Sequence, residues 1–214
     1  MINVQRFVCN WFQENTFVLH DETRECVIVD CGAYYEEERA AIVNYIREHQ
    51  LVPRHLLATH GHVDHHFGIS MIYDEFGLSV EVPAADRRLM EKLPEQTRMF
   101  LGQDMGITFP PVGKYLSDSD VITFGTHKIN IIPTPGHSPG SVVYYIEDEH
   151  IALTGDTLFR MSIGRTDLEG GSMMQLIQSL RTLVQLPDET IVLPGHGEST
   201  TIGEELSTNP FLDR

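Results

Sequence analysis

Positive charge is scarce in this chain. Its 214 residues carry 15 Lys and Arg against 31 Asp and Glu, a formal net charge of −16. Such a surface repels polyanions, which argues against nucleic acids and anionic membranes as partners. Long apolar runs are also missing: none approaches the roughly 18 residues that a bilayer-spanning helix needs. The opening segment, MINVQRFVCNWFQENT, has no basic stretch leading into an apolar block. No secretory signal is therefore expected, and a cytoplasmic location is predicted. Cysteine is sparse too. Cys9, Cys26 and Cys31 form no CxxC pair and are expected to be reduced, mostly buried thiols.

What is present reads as an ordinary globular chain, 41% hydrophobic and 21% charged, long enough to bury a sizeable core. INVQRFVC, TFVLHD and ECVIVDCG are short and rich in Val, Ile and Phe, as strands are. A helix is expected from about Tyr35 to His49, with Glu36, Glu37 and Glu38 favouring its N-terminal dipole and Ile42, Val43 and Ile46 forming an apolar stripe. RHLLATH reads as a buried strand, FGISMIYDEFG as a helix closed by Gly77, LSVEV as a strand, and AADRRLMEKL as the start of a helix that Pro94 interrupts. Strands return in VITFGTHKINIIPT, GSVVYYIED and HIALTGD. SMMQLIQSLRTLVQL follows as an amphipathic helix, its stripe placed at Met174, Ile177, Leu180, Leu183 and Val184, and ETIVLPGHG as a last strand and turn. No linker or repeat divides the chain, so residues 1–214 are expected to form a single α/β domain of sheet layers flanked by helices.

The stretch ATHGHVDHHFG places four histidines and an aspartate in the seven positions from His60 to His66. Further donors follow other apolar strands: His137 after INIIPTPG, Asp156 after IALTG and His196 after TIVLPG. Three of these four sites have a glycine directly before the key residue, where the backbone can bend sharply at the strand end. His60, His62, Asp64, His65, His137, Asp156 and His196 make seven nitrogen and oxygen donors, too many for one tetrahedral ion. They suit two ions sharing a bridging carboxylate, spaced ~3.5–4 Å apart as in hydrolytic pairs. His60 and His62 can point the same way in an extended turn, whereas Asp64 and His65, where the chain begins to coil, would face a second ion. With no thiolate among them, the donors favour Zn, Mn or Fe. His66 would be an eighth donor and is left outside the set. His20, His49, His55, His127 and His150 are read as surface or satisfied core residues.

These residues resemble the metallo-β-lactamase fold superfamily. THGHVDH is similar to its T-H-x-H-x-D-H signature, and PTPGHSPGS, LTGDTLF and VLPGHG to its later motifs, in the same order. The resemblance runs from Asp30 to His196 and implies an αββα sandwich of two mixed β-sheets with flanking helices. It implies that His60, His62 and His137 hold one metal, that Asp64, His65 and His196 hold the other, and that Asp156 bridges. Asp30 resembles a position that orients a ligand. Within the superfamily, GDTLFRMSIGRTDLEGG is most similar to the glyoxalase II group, the hydroxyacylglutathione hydrolases, in a short form. With 18 residues after His196, no C-terminal helical substrate domain is expected, and the tyrosine that often follows that histidine is absent from GHGES.

The function implied is a dinuclear hydrolase of small-molecule thioesters such as S-lactoylglutathione, with two divalent ions, zinc before iron or manganese. Metal lowers the pKa of water from about 15.7 towards about 7 and so gives a hydroxide nucleophile. Asp64 or Asp156 would orient it, and a thiolate leaves without a dedicated acid. Arg165, in IGRTD, matches a basic position near the peptide part of the substrate. The nearest alternative is a mononuclear iron persulfide dioxygenase of the same fold, using His60, His137 and Asp156. A lactonase is a further alternative, and a non-catalytic metal-binding protein is disfavoured by the complete donor set. Oligomeric state is left open.

Overall fold

The computed structural model describes residues 1–102 and 106–212. Six strands build the first sheet: β1 (Asn3–Cys9), β2 (Glu14–His20), β3 (Glu25–Val29), β4 (Val52–Leu57), β5 (Glu81–Pro83) and β6 (Lys114–Leu116), ordered as numbered. β1, β2 and β3 are antiparallel, and the rest of the sheet is parallel. The second sheet holds β7 (Val121–Phe124), β8 (His127–Pro133), β9 (Val142–Ile146) and β10 (Ile151–Gly155). After the small hairpin β11 (Leu158–Phe159) and β12 (Ser162–Ile163), β13 (Ile191–Pro194) and β14 (Thr200–Thr201) complete it in the order β14-β13-β10-β9-β8-β7. Here only the β10–β13 pair is parallel.

Alternation along the strands decides what each face covers. In β3, Val27 and Val29 turn inward and meet Ile129, Tyr144 and Leu153 of the second sheet. Cys26 and Ile28 turn outward, against Ile42 and Ile46 of α1 (Glu36–Glu48) and Ile69 and Ile72 of α2 (Ile69–Phe76). In β9 the same parity puts Val143 and Tyr145 against Leu176, Leu180 and Leu183 of α5 (Met173–Leu183), while Ile202 of α6 (Ile202–Thr208) joins them. The layers are thus helix, sheet, sheet, helix, the predicted αββα sandwich. No helix among the described residues is long and apolar enough to cross a membrane. Cys9, Cys26 and Cys31 are free and buried, and burial pushes the thiols of Cys9 and Cys26 up to about 12.

The interruption expected at Pro94 is present: α3 (Arg87–Glu91) ends at Lys92 and α4 (Leu93–Leu101) begins with Pro94 in its first turn. Proline there forfeits no helical hydrogen bond. The segments depart from expectation in two places. The stripe of α5 is rotated: Leu176, Leu180 and Leu183 are buried, whereas Met174 is 74% and Ile177 40% exposed. A Cβ on Gly136 would lie 2.4 Å from Leu176 Cα, so this close approach brings the Leu176 face inward. Finally, β14 and α6 lie beyond the strand that was expected to be last, with Thr201 capping α6 by accepting from Glu204 N.

Candidate metal centre

All seven donors gather at one edge of the sandwich. His60 and His62 lie in the turn after β4, and Asp64 and His65 in the single 3-10 turn Val63–His65. His137 follows β8, Asp156 directly follows β10, and His196 follows β13. Two of the glycines beside them are required by space. At Gly155, whose φ is +48°, a Cβ would come within 2.4 Å of Thr59 Oγ1. A Cβ on Gly195 would sit 2.4 Å from Asp156 Oδ1 and 2.8 Å from His65 Cε1, inside the centre itself.

The donors fall into overlapping groups: His60, His62 and His137; Asp64, His65 and His196; and His60, His65 and Asp156. Within each group the ligand atoms lie within 4.8 Å of one another. His62 Nδ1 is 2.8 Å from His137 Nε2, and His196 Nε2 is 3.2 Å from Asp64 Oδ2. Asp156 stands between them, its carboxylate 3.4 Å from His65 Nε2, 3.4 Å from His137 Nε2 and 3.6 Å from His196 Nε2.

Hydrogen bonds behind the rings decide which nitrogen faces inward. His137 Nδ1 donates to the Arg165 carbonyl over 2.8 Å, and His196 Nδ1 to the Phe12 carbonyl over 2.9 Å. His65 Nδ1 donates to Asp30 Oδ2 over 3.0 Å. Thr59 Oγ1 donates to the same Asp30 oxygen, which leaves it to accept from His60 Nδ1 at 3.0 Å. Asp30 itself has φ +55°, a left-handed turn that aspartate tolerates better than most residues. It therefore orients two rings at once.

Burial lowers the pKa of His60, and His65, His137 and His62 press it further, keeping the ring neutral. His62 is pushed down to about 3 by burial and by His137. On the other side, burial opposes the charge of His65, but Asp64, Asp30 and Asp156 overcome it and raise the group well above its usual range. Burial likewise opposes ionisation of Asp156, and the neighbouring His65, His137 and His196 nevertheless hold it well below.

Fit to a metal is tested by what the donors leave unpaired. His60 Nε2, His65 Nε2 and Asp156 Oδ1 are buried without a hydrogen-bond partner. Buried polar atoms are ordinarily paired, and three orphans converging on one point suit cations. His66 is a structural tie, its Nε2 donating to the His60 carbonyl over 2.9 Å; its Nδ1 is also buried and unpaired but joins none of the converging donor groups. Outside the centre, His20 pairs with the Tyr45 hydroxyl, His55 with Glu81 and His127 with Asp148.

The metallo-beta-lactamase superfamily profile matches residues 9–196. The chain belongs to the metallo-beta-lactamase superfamily. A superfamily relative named hydroxyacylglutathione hydrolase GloC, from Haemophilus influenzae, is 35% identical over 214 residues, covering 99% of both proteins. Among solved superfamily structures, the BLEG-1 B3 metallo-beta-lactamase superposes with a TM-score of 0.89 at 36% identity, covering 99% of each chain. TTHA1623 in a di-iron-bound form superposes with a TM-score of 0.85 at 33% identity, covering 98% of this chain and all of that one, 100%. A superfamily fold with these donor groups implies divalent metal ions and a metal-dependent hydrolase.

Sequence reasoning missed several residues around the superfamily centre. Glu14 is fully buried behind His65, with Oε1 3.9 Å from its Nδ1 and Oε2 accepting from Thr16 Oγ1 and Gly32 N. Asn10, Asn15, Asp86 and Gln96 bond the backbone of the donor loops. The one signal available was an acidic residue shortly before the apolar run FVL in QENTFVL. A cavity of about 70 Å³ opens beside His62, lined by Leu89, Met99, Phe100 and Leu168, with Lys92 and Glu169 at its rim. Arg165 lies outside it, its guanidinium bonded to both carboxylate oxygens of Asp167 at 2.7 and 2.8 Å.

Proposed function

We propose that this protein is a dinuclear thioesterase of the glyoxalase II type, hydrolysing small S-acylglutathione-like thioesters. The observation that carries this reading is the paired donor set: three histidines on one side, Asp64, His65 and His196 on the other, and Asp156 reaching both. In the proposal His60, His62 and His137 hold one ion, Asp64, His65 and His196 the second, and Asp156 bridges them, with zinc as the resident metal. The full-length similarity to the Haemophilus influenzae hydrolase supports the thioester class.

Bound divalent ions supply a nucleophile from water at neutral pH and polarise the acyl carbonyl. The chain does the rest. Asp64 or Asp156 would orient the attacking water and fix its direction towards the carbonyl, the one proton it loses passing to solvent. The cavity beside His62 takes the acyl group, its Leu89 and Leu168 walls excluding bulk water. A thiolate is expelled, and with a free-thiol pKa of roughly 8.5 it needs no proton from the protein. Mixing purified protein with S-lactoylglutathione should release free thiol in proportion to bound metal, with two ions per chain by elemental analysis. One iron per chain with oxygen uptake on glutathione persulfide overturns the proposal, as does turnover of lactones alone.

Arg165 is the proposed contact for the anionic peptide part of the substrate. An incoming carboxylate would take the guanidinium from Asp167, offsetting the repulsion of a strongly acidic chain. Because His137 is held by the Arg165 carbonyl and not by its side chain, Arg165→Ala should raise KM several-fold and leave kcat close to wild type. Steady-state kinetics on S-lactoylglutathione check it; an unchanged KM removes Arg165 from the substrate site.

A further inference from the structure

The polar side chains packed behind the donors divide into two sets with little overlap. Behind the first set stands Asp86, which is fully buried although charged. Its Oδ2 accepts from Gly61 N at 2.8 Å and from Ser138 Oγ at 2.7 Å, and its Oδ1 accepts from Gly140 N at 2.6 Å. Gly61 separates His60 from His62, and Ser138 follows His137. One carboxylate therefore ties together the two loops that carry the three histidines. Asp86 makes no bond to Asp64, His65 or the His196 turn.

The second set is backed by the turn between β1 and β2. Asn10 Nδ2 donates to the Asp64 carbonyl at 3.0 Å and to the Gly32 carbonyl at 2.9 Å. Asn15 Nδ2 donates to the Pro194 carbonyl at 2.9 Å and the Gly197 carbonyl at 2.8 Å, clasping the His196 turn from both sides. Asn15 N adds a bond to the Gly195 carbonyl at 2.7 Å, and Glu14 pairs with His196 as an isolated bridge. None of these groups touches His60, His62 or His137. Asp30 and Asp156 serve both sides.

We propose that Asp86 and the Asn10–Asn15 pair are positioning residues for opposite halves of the centre, so that either half can be emptied while the other stays loaded. This rests on the two-ion reading above, and is independent of the substrate. Gln96 is not part of the division, because it bonds both the Gly61 carbonyl and Val63 N, next to Asp64.

The test is Co²⁺ titration of full-length wild type, Asp86→Asn and Asn15→Ala, reading cobalt content and the visible absorption of each site. A site of three histidines with the shared Asp156 and a site of two histidines with Asp64 and Asp156 give different cobalt spectra. Asp86→Asn is expected to weaken the three-histidine site about 10–100-fold and spare the other, and Asn15→Ala to do the reverse, as substitutions behind metal ligands do. Loss of both sites in parallel in each variant overturns the proposal, as does an unchanged titration in both. Should Asp86→Asn not fold, Ser138→Ala deletes one of the three Asp86 bonds and should give a smaller weakening confined to the three-histidine spectrum; an even weakening of both sites overturns the idea. A wild type that takes up one Co²⁺ overturns the two-ion reading and the proposal with it, an outcome told apart by the wild-type titration alone.

Discussion

Replacing Asp156 with alanine is expected to abolish hydrolysis while leaving a folded protein. Asp156 is the donor that reaches histidines of both sets, His137 on one side and His65 and His196 on the other. Deleting it leaves two groups of three with nothing shared between them. Metal ions contribute several kcal/mol of charge stabilisation at the acyl carbonyl, and each 1.36 kcal/mol is tenfold in rate. The expected loss is therefore about three orders of magnitude or more in kcat. The fold should survive, since Asp156 Oδ1 has no hydrogen-bond partner and the carboxylate faces the donor histidines His65, His137 and His196 rather than the apolar core. Thiol release, elemental analysis and circular dichroism together check this. Substantial turnover in a variant holding two ions would show that the shared role belongs elsewhere.

Removing the ions should be the second large effect. Four carboxyl groups crowd the His65 ring: Asp30 at 3.0 Å, Asp156 at 3.4 Å, Asp64 at 3.6 Å and Glu14 at 3.9 Å. Burial raises the Glu14 carboxyl well above its usual range and favours its neutral form, but one imidazolium cannot balance the other three, so bound cations are expected to stabilise the folded chain. For an ion present at a thousandfold excess over its dissociation constant, linkage gives about 4 kcal/mol. For a domain of this size that is a rise of roughly 10 °C in Tm. Chelation should abolish thioester hydrolysis and lower Tm by that order, and adding back a divalent ion should restore both. A Tm that ignores chelation would mean the carboxylates are balanced by protons alone.

Much of the centre was legible because chemistry restricts residue type there. Only imidazole and carboxylate serve as the donors, so His60, His62 and Asp64 stand out from a background of apolar strand residues, and the glycines before His137, Asp156 and His196 mark the turns. Sheet layers flanked by helices were legible in the order of strand and helix segments, and the two-sheet sandwich in the resemblance to the superfamily; in the structure Val27 and Val29 against Cys26 and Ile28 show both faces of a strand covered. The supporting residues were not. Asn10 and Asn15 at the β1–β2 turn, Asp86 and Gln96 sit in three separate segments, where a polar residue reads as an ordinary turn or surface position. Their burial exists only once distant loops have met. The stripe of α5 failed in a similar way, because Met174 and Ile177 fit helical spacing as well as Leu176 does, and it is the contact with Gly136 that chooses between them.

The donors also come from far apart along the chain, and both sheets supply the loops. Protein bonds join the two sheets behind the centre: Val142 N, at the start of β9, donates to the Thr59 carbonyl at 3.0 Å, and the Tyr144 hydroxyl of β9 to the Ala58 carbonyl at 2.8 Å. His196 cannot meet His60 until β4, β10 and β13 are all in place, so closing that long loop is left to strand pairing. Ions that engage only the finished arrangement act after the folding barrier has been crossed, and interactions absent from a transition state slow escape from the native basin without hastening arrival. The ions thus set how long a molecule stays native, and refolding runs at the pace of its sheets.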